Sequence, residues 1–340
     1  MTAAARTQIQ LVSRPAGWPS AENFRTVTDT LPELAPGQIR VQNEFISVDP
    51  YMRGRMNDVR SYVAPYALGD TISGGAVGRV IASTVADFPV GAVVLHQHGW
   101  SDIAQDDAAT FRVIPELPGV PLSLNLHVLG MTGLTAYVGL TKIAEMREGD
   151  TVFISGAAGA VGTAAGQIAK LLGAKRVIGS AGSDEKVALL TSKYGYDAAF
   201  NYKSGDVREL LAEAAPDGID VFFDNVGGSH LEAALDAFAD GGRAALCGAI
   251  ESYNTTAKPV GPDNMANLIT RALTLRGFTI GAHWHHAPEF QARMSEWFAA
   301  GSIAYDETVV DGIEHTVDAF LDMMRGANTG KMLVRIAPAA

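Results

Sequence analysis

Hydrophobic and polar positions change rhythm partway along the chain. Over residues 1–120 the apolar positions come in short β-rich or alternating runs, at 38–48, 75–84 and 91–96, separated by Gly, Pro and Asp. Alternation of this kind fits half-buried strands, so this part reads as all-β. From Leu129 onward, segments with helical spacing alternate with short apolar runs. Helices are predicted at 134–144, 161–172, 184–194, 206–214 and 229–238, and strands at 151–155, 176–180, 199–201, 221–224 and 242–247. That order specifies a parallel sheet with helices on both faces, a doubly wound α/β unit. A helix at 314–325 then precedes a strand at 330–336, which is expected to rejoin the first part. With no internal repeat or low-complexity linker, the boundary near residue 125 rests on the change of rhythm alone.

Composition narrows the class without changing the fold. A chain of 340 residues, 47% hydrophobic and 19% charged, can bury a large core; its length suits about two domains. No uncharged run is long enough to span a bilayer, and Arg6 has no apolar block behind it, so no secretory signal is read and a cytoplasmic location is expected. The formal charge of −11, without clustered Lys and Arg, argues against a nucleic-acid partner. Cys247 is the only cysteine, which excludes an intrachain disulfide and a Cys-rich zinc cage.

The candidate chemistry begins at residue 151. Val152, Phe153 and Ile154 stop at Ser155 and open into Gly156, Ala157, Ala158, Gly159, Ala160, Val161 and Gly162, and an apolar-periodic segment follows at 164–172. Glycines let the backbone turn sharply, admit a pyrophosphate to the main chain, and leave the amides of a helix N-terminus free for negative charge. Glycine spacing alone also occurs in ordinary turns, but a strand before it and a helix after it point to a dinucleotide.

An NAD-selective site normally carries an acid about 20 residues after the turn. Here the second strand ends in Gly179 and Ser180, while Ser183, Asp184 and Glu185 read as a capped helix start. Lys186, one turn into that helix, offers countercharge to a 2′-phosphate, although a solvated surface lysine fits the spacing equally well. NADPH is therefore favoured over NADH.

Several motifs now line up in one order. They are residues 48–56 (Val48, Asp49, Pro50, Tyr51, Met52, Arg53, Gly54, Arg55, Met56), the glycine turn, 180–186, 200–203, 223–228 and the tail Gly330, Lys331. Together they resemble the zinc-independent medium-chain dehydrogenases/reductases, in the branch of leukotriene B4 dehydrogenase, prostaglandin reductase, plant alkenal double-bond reductases and bacterial curcumin reductase. The resemblance covers essentially the whole chain. It implies a GroES-like β domain over 1–125, completed by 301–340, a Rossmann NADP-binding domain over 126–300, and a substrate cleft between them. For the cofactor it implies contacts from Gly156, Ala158, Gly159, Ala160, Val161, Gly162, Ser180, Lys186, Tyr202, Asn225, Gly227, Cys247, Gly248, Asn328 and Lys331. Lys186 and Tyr202 would meet the 2′-phosphate, and Asn225 and Gly227 the nicotinamide half. A β-rich run at 271–281, with Leu273, Leu275, Phe278 and Ile280, would be the edge strand through which the family pairs into a homodimer.

The wider superfamily includes zinc alcohol dehydrogenases, which hold their metal with cysteines and a Gly-His-Glu histidine. The matching segment here runs Ser73, Gly74, Gly75, Ala76, Val77, Gly78, so the ligand positions, at Gly75 and Ala76, are empty. His96 and His98 alternate on a predicted strand, and His283, His285 and His286 surround Trp284. Without a third ligand nearby, hydrogen bonding or packing is their ordinary role, and no metal is expected.

Without a metal to polarise an oxygen, hydride addition to a carbonyl loses its electrophile, whereas addition to a conjugated alkene places charge on a remote oxygen. Resemblance to the alkenal reductases implies hydride delivery to the β-carbon of an enone or enal. Tyr253 follows a strand end, where ligands of such folds collect, and the family places a tyrosine beside the nicotinamide. A phenol with a pKa of about 10 is a poor acid at neutrality, so Tyr253 is expected to hydrogen-bond the enolate while water supplies the proton. A buried structural aromatic is its alternative role. Tyr51, after Pro50, is the second substrate-binding candidate, and packing explains it nearly as well. Arg53 and Arg55 have the charge to attract a carboxylate, but a surface ion pair is the expectation. The sequence thus reads as an NADPH-dependent reductase of conjugated C=C bonds. A quinone reductase and a catalytically idle NADPH-binding protein are the alternatives.

Overall fold

The computed structural model describes residues 4–258 and 260–336. The first β-rich runs form β1 (Ala5–Leu11), β2 (Phe24–Thr30), β3 (Gln38–Ser47), β4 (Ala76–Ser83), β5 (Val93–His96), β6 (Ile103–Asp107) and β7 (Phe111–Val113), with a short helix α1 (Tyr51–Arg55) after β3. The alternating part forms α2 (Met131–Val138), β8 (Thr151–Ile154), α3 (Ala160–Leu171), β9 (Arg176–Ala181), α4 (Asp184–Ser192), β10 (Ala198–Asn201) and α5 (Val207–Ala214). It continues through β11 (Ile219–Asp224), α6 (Gly228–Ala237), β12 (Phe238–Leu246), α7 (Asn267–Thr270), β13 (Thr274–Gly277) and α8 (Ala287–Ala299). Last come β14 (Glu307–Asp311), α9 (Thr316–Met324) and β15 (Lys331–Arg335).

These elements divide into two units. The first comprises the described residues within Met1–Leu126, Glu307–Asn328 and Met332–Ala340; the second comprises His127–Asp306 and Thr329–Lys331. In the first unit β15, β4 and β6 all run antiparallel to β3, within a seven-stranded sheet, and β1 pairs antiparallel with β2. The last strand therefore pairs with the third. Trp100 is fully buried, with its ring centroid 5.8 Å from Phe24 and 5.6 Å from Phe320 of α9. Aromatic packing of this kind holds the C-terminal helix to the N-terminal strands.

In the second unit six parallel strands stand in the order β10-β9-β8-β11-β12-β13. The chain steps outward from β8 to β10, then returns to lay β11 on the other side of β8. That reversal is a topological switch point, where open α/β sheets bind ligands. Both faces of the sheet are covered, so its central strands are apolar at successive positions: Val152, Phe153 and Ile154, then Val221, Phe222 and Phe223, are all fully buried. Phe153 stacks on Phe222 with centroids 5.0 Å apart. The helix predicted at 134–144 ends earlier, as α2, and passes into a π-helical turn over Gly139–Ile143. A Cβ on Gly139 would lie 2.3 Å from the Phe223 ring, so only glycine lets this turn pass so close to the sheet.

Buried histidines set a pH dependence of stability. Burial lowers His96 and His127 to about 3 and His230 to about 4, from an ordinary value of 6.5. The unfolded chain therefore takes up these protons first as pH falls, and stability present above about pH 6.5 is lost on the way down toward 4. Denaturant midpoints should fall steadily between about pH 7 and 5, and His230→Phe should flatten part of that slope. A midpoint that stays constant over that range contradicts the assignment.

Candidate active site

The switch point is built around one carboxylate. Asp224 ends β11 and is 1% exposed. Its Oδ1 accepts from Ser155 Oγ at 2.8 Å and from the backbone amides of Val226 and Gly227, both at 2.9 Å. Burial raises its pKa, while those three donors oppose the rise. Asn225 closes the junction: its amide donates to Ser155 Oγ and its Nδ2 to the Ser155 carbonyl, each at 2.8 Å. The loops after β8 and β11 are thereby locked together. Neither Ser155 nor Asp224 was among the expected site residues, although an acid directly abutting an apolar strand was the available signal.

The glycine turn sits on this junction. Gly156 has φ +60°, and a Cβ on Gly162 would lie 2.5 Å from the Gly156 carbonyl and 2.6 Å from Ala157 Cα. Both positions demand glycine for backbone reasons. Helix α3 starts at Ala160 with Gly159 as its N-cap, and its first turn has no side-chain capping bond among the described residues. Such an end suits a pyrophosphate. Ala158 contributes its carbonyl, which accepts from Gly330 N at 2.9 Å. The C-terminal return thus reaches the turn, with Gly159 and Gly330 forming a bridge.

At the next strand the acid is missing, as the sequence indicates. β9 runs on to Ala181, and Ser180 is fully buried, its Oγ without a hydrogen-bond partner among the described residues. Its carbonyl accepts from Ala157 N at 2.9 Å, so Ser180 supports the glycine turn from below rather than facing solvent. Ser183 caps α4, accepting from Lys186 N at 3.4 Å, and Asp184 is drawn to Asn201 Nδ2 at 2.8 Å. The Tyr202 hydroxyl lies over Gly182, 3.0 Å from where a Cβ would be. Burial and the neighbouring Lys203 charge lower the pKa of Lys186, and Lys203 Nζ lies 5.8 Å from the Tyr202 ring centroid. Lys203 was not among the expected residues.

Beyond β12, the amides of Cys247 and Gly248 donate to the Asp224 carbonyl at 2.8 and 3.0 Å. Burial pushes the Cys247 thiol up to about 12, so it is inert at neutral pH. Gly227, with φ +75°, caps α6. Tyr253 follows a single 3₁₀ turn and is half-buried; its hydroxyl accepts a long bond, 3.5 Å, from Ala249 N. Burial raises its pKa, which keeps the phenol protonated. Lys331 is 2% exposed, on the strand that follows Gly330; Asn328 precedes that return and belongs to the first unit.

In the first unit, Tyr51 opens α1 directly after Pro50, and burial, with the Asp49 charge next in weight, raises its pKa. The ion-pair expectation for its neighbours needs correction. Arg53 is 2% exposed and donates to Asn57 Oδ1 and to the carbonyls of Pro15 and Gly17. Arg55 stacks over the Tyr66 ring at 4.0 Å and donates to Ala64 O and Ser73 Oγ, with no carboxylate partner among the described residues. Both arginines fasten loops, because backbone carbonyls come within reach of the helix where sequence alone suggested open solvent. His96 Nδ1 accepts from His98 N at 3.1 Å, and His98 bonds Thr110 Oγ1 at 2.9 Å; His98 lies past the strand end. Among the described residues, no group of three or more His, Cys, Asp or Glu is arranged to hold a metal ion.

Residues 7–114 match the family described as "N-terminal domain of oxidoreductase", and residues 160–300 the family described as "Zinc-binding dehydrogenase". The chain is 39% identical over 335 residues to the NADPH-dependent curcumin reductase of Escherichia coli, covering 96% of each chain. It is 37% identical over 337 residues to a 2-alkenal reductase (NADP(+)-dependent) of Nicotiana tabacum, covering 97% of each. The crystal structure of CurA from Vibrio vulnificus in complex with NADPH superposes with a TM-score of 0.93 at 41% identity, over 98% of this chain and 100% of that one. This chain belongs to the zinc-independent branch of the medium-chain dehydrogenase/reductase family.

Proposed function

We propose that this chain is an NADPH-dependent reductase of the C=C bond in α,β-unsaturated ketones and aldehydes. The observation that carries the reading is the near full-length relation to a curcumin reductase and a 2-alkenal reductase, both NADP-dependent and both named for conjugated alkene substrates. The switch point suits such a cofactor: Gly156 turns the chain, Gly162 lets α3 begin directly against that turn, and the amides of α3 receive the charge of the pyrophosphate. Lys186, Tyr202 and Lys203 hold the 2′-phosphate. Asn225, Gly227, Cys247 and Gly248 line the nicotinamide half, with Asn328 and Lys331 contributing from the C-terminal return. NADPH supplies a hydride to the β-carbon of the substrate.

The remaining work falls to side chains. Tyr51 and Tyr253 bind the substrate. Tyr253 keeps its proton at neutral pH and uses its hydroxyl hydrogen to stabilise the enolate oxygen, because the amide of Ala249 occupies only an acceptor position. Water completes the reaction by protonating the α-carbon. The enzyme works in the cytoplasm as a homodimer paired through β13, which among the described residues pairs with β12 alone and stands at the edge of its sheet. Sedimentation at micromolar concentration should show a species of twice the chain mass, and a monodisperse monomer counts against the dimer.

Purified protein with NADPH should consume a medium-chain 2-alkenal and curcumin faster than a quinone. Turnover of the quinone alone would replace this reading with a quinone reductase, and tight NADPH binding without turnover would favour an idle binding protein. In the same assay NADPH should outperform NADH, and Lys186→Ala should raise the KM for NADPH about tenfold with the KM for NADH within about twofold. Tyr253→Phe should lower kcat about 10- to 100-fold at unchanged NADPH affinity. An unchanged rate removes Tyr253 from catalysis.

A further inference from the structure

The parallel-sheet unit gives up the chain after Asp306 and receives it back at Thr329. Both crossings meet at one residue. The Asp306 carbonyl accepts from Lys331 N at 3.1 Å, and it lies 2.0 Å from where a Cβ on Gly330 would be. Gly330, at φ +64°, is pressed against Asp306 on one side; its amide reaches the Ala158 carbonyl of the glycine turn on the other. The Asp306 side chain is itself clamped. Lys193 Nζ contacts Oδ1 at 2.6 Å, and the buried Tyr194 hydroxyl donates to Oδ2 at 2.5 Å, both at the C-terminal end of α4. Two residues earlier, Ala304 exchanges a pair of hydrogen bonds with the Gln167 side chain of α3, at 2.7 and 2.9 Å. Residues 304–306 are thus stapled to the two helices whose N-termini carry the glycine turn and Lys186.

We propose that Asp306 is a positioning residue for the cofactor turn: its carboxylate, held by Lys193 and Tyr194, sets Gly330 against Ala158 and so fixes the pyrophosphate cradle. The carboxylate is engaged by Lys193 and Tyr194, so its part is to govern how well NADPH binds while leaving the bound reaction alone. The inference rests on the NADPH reading above.

The test uses the full chain, measuring NADPH affinity by fluorescence titration together with kcat and the KM for NADPH at saturating enone. Asp306→Ala should raise the NADPH Kd and KM about tenfold with kcat within about twofold. Lys193→Met and Tyr194→Phe each remove one clamp and keep the backbone intact, and each should raise them about three- to fivefold, which decides the matter even if Asp306→Ala fails to fold. Lys170→Met, which breaks the Lys170–Asp197 ion pair elsewhere on α3, should change neither constant. An NADPH KM unchanged in the folded clamp variants, or a fall in kcat with KM intact, overturns the role of Asp306. A parent protein that binds no NADPH overturns the cofactor reading and this inference together; a parent that binds it no better than the clamp variants overturns the inference alone.

Discussion

A buried carboxylate, Asp224, is the constraint on which the switch point depends. Removing an ionised side chain from water costs several kcal/mol unless donors replace the lost hydration, and here a hydroxyl and two backbone amides do so. The direction of its pKa shift shows that burial still outweighs those bonds. What the arrangement secures is geometry. Ser155 and Asp224 end neighbouring parallel strands, so their contact fixes the separation of the two loops between which a dinucleotide lies in this fold. Asp224 also takes the amides of Cys247 and Gly248 on its carbonyl, which brings the loop after β12 into the same knot.

From that knot outward, the site is defined by what glycine permits. Gly156 turns the chain with a positive φ, Gly162 lets α3 begin against the turn, and Gly330 lets a distant strand return to the Ala158 carbonyl. A side chain at Gly162 or Gly330 would strike backbone atoms, which cannot swing aside as a flexible side chain does. The uncapped end of α3 is therefore a product of close backbone approach more than of charged residues, and Lys186 and Lys203 follow the next two strands.

The two arginines of the first unit show how burial reassigns charge. In sequence, Arg53 and Arg55 sit in a short polar segment and look solvent-facing. In the structure Arg53 is enclosed and serves carbonyls from the N-terminal loop, while the Arg55 guanidinium carbon sits 4.0 Å from the Tyr66 ring centroid. A guanidinium is planar, weakly hydrated and rich in donors, which suits it to such enclosed positions. The buried histidines follow the same logic in reverse: deprived of water, they stay neutral.

Much of this was legible along the chain. The alternation after Leu129, the glycine turn, the capped start of α4 at Ser183 and the absence of an acid at the end of β9 are all local signals, because strand burial, helix capping and backbone turns act over a few residues. The sequence by itself therefore determined the doubly wound unit, the position of the glycine turn between β8 and α3 and the lack of an acid at the end of β9. It did not reveal that Ser180 faces inward, that Ser155 and Asp224 bond across two strands, or that Lys193, Tyr194, Asp306 and Gly330 meet. Ser155 and Asp224 are 69 positions apart, and Lys193 and Tyr194 stand 113 and 112 positions from Asp306, and no local pattern encodes a partner that distant. Only the tertiary structure decided them, since a buried polar group takes whichever donor the packed sheet brings within about 3 Å.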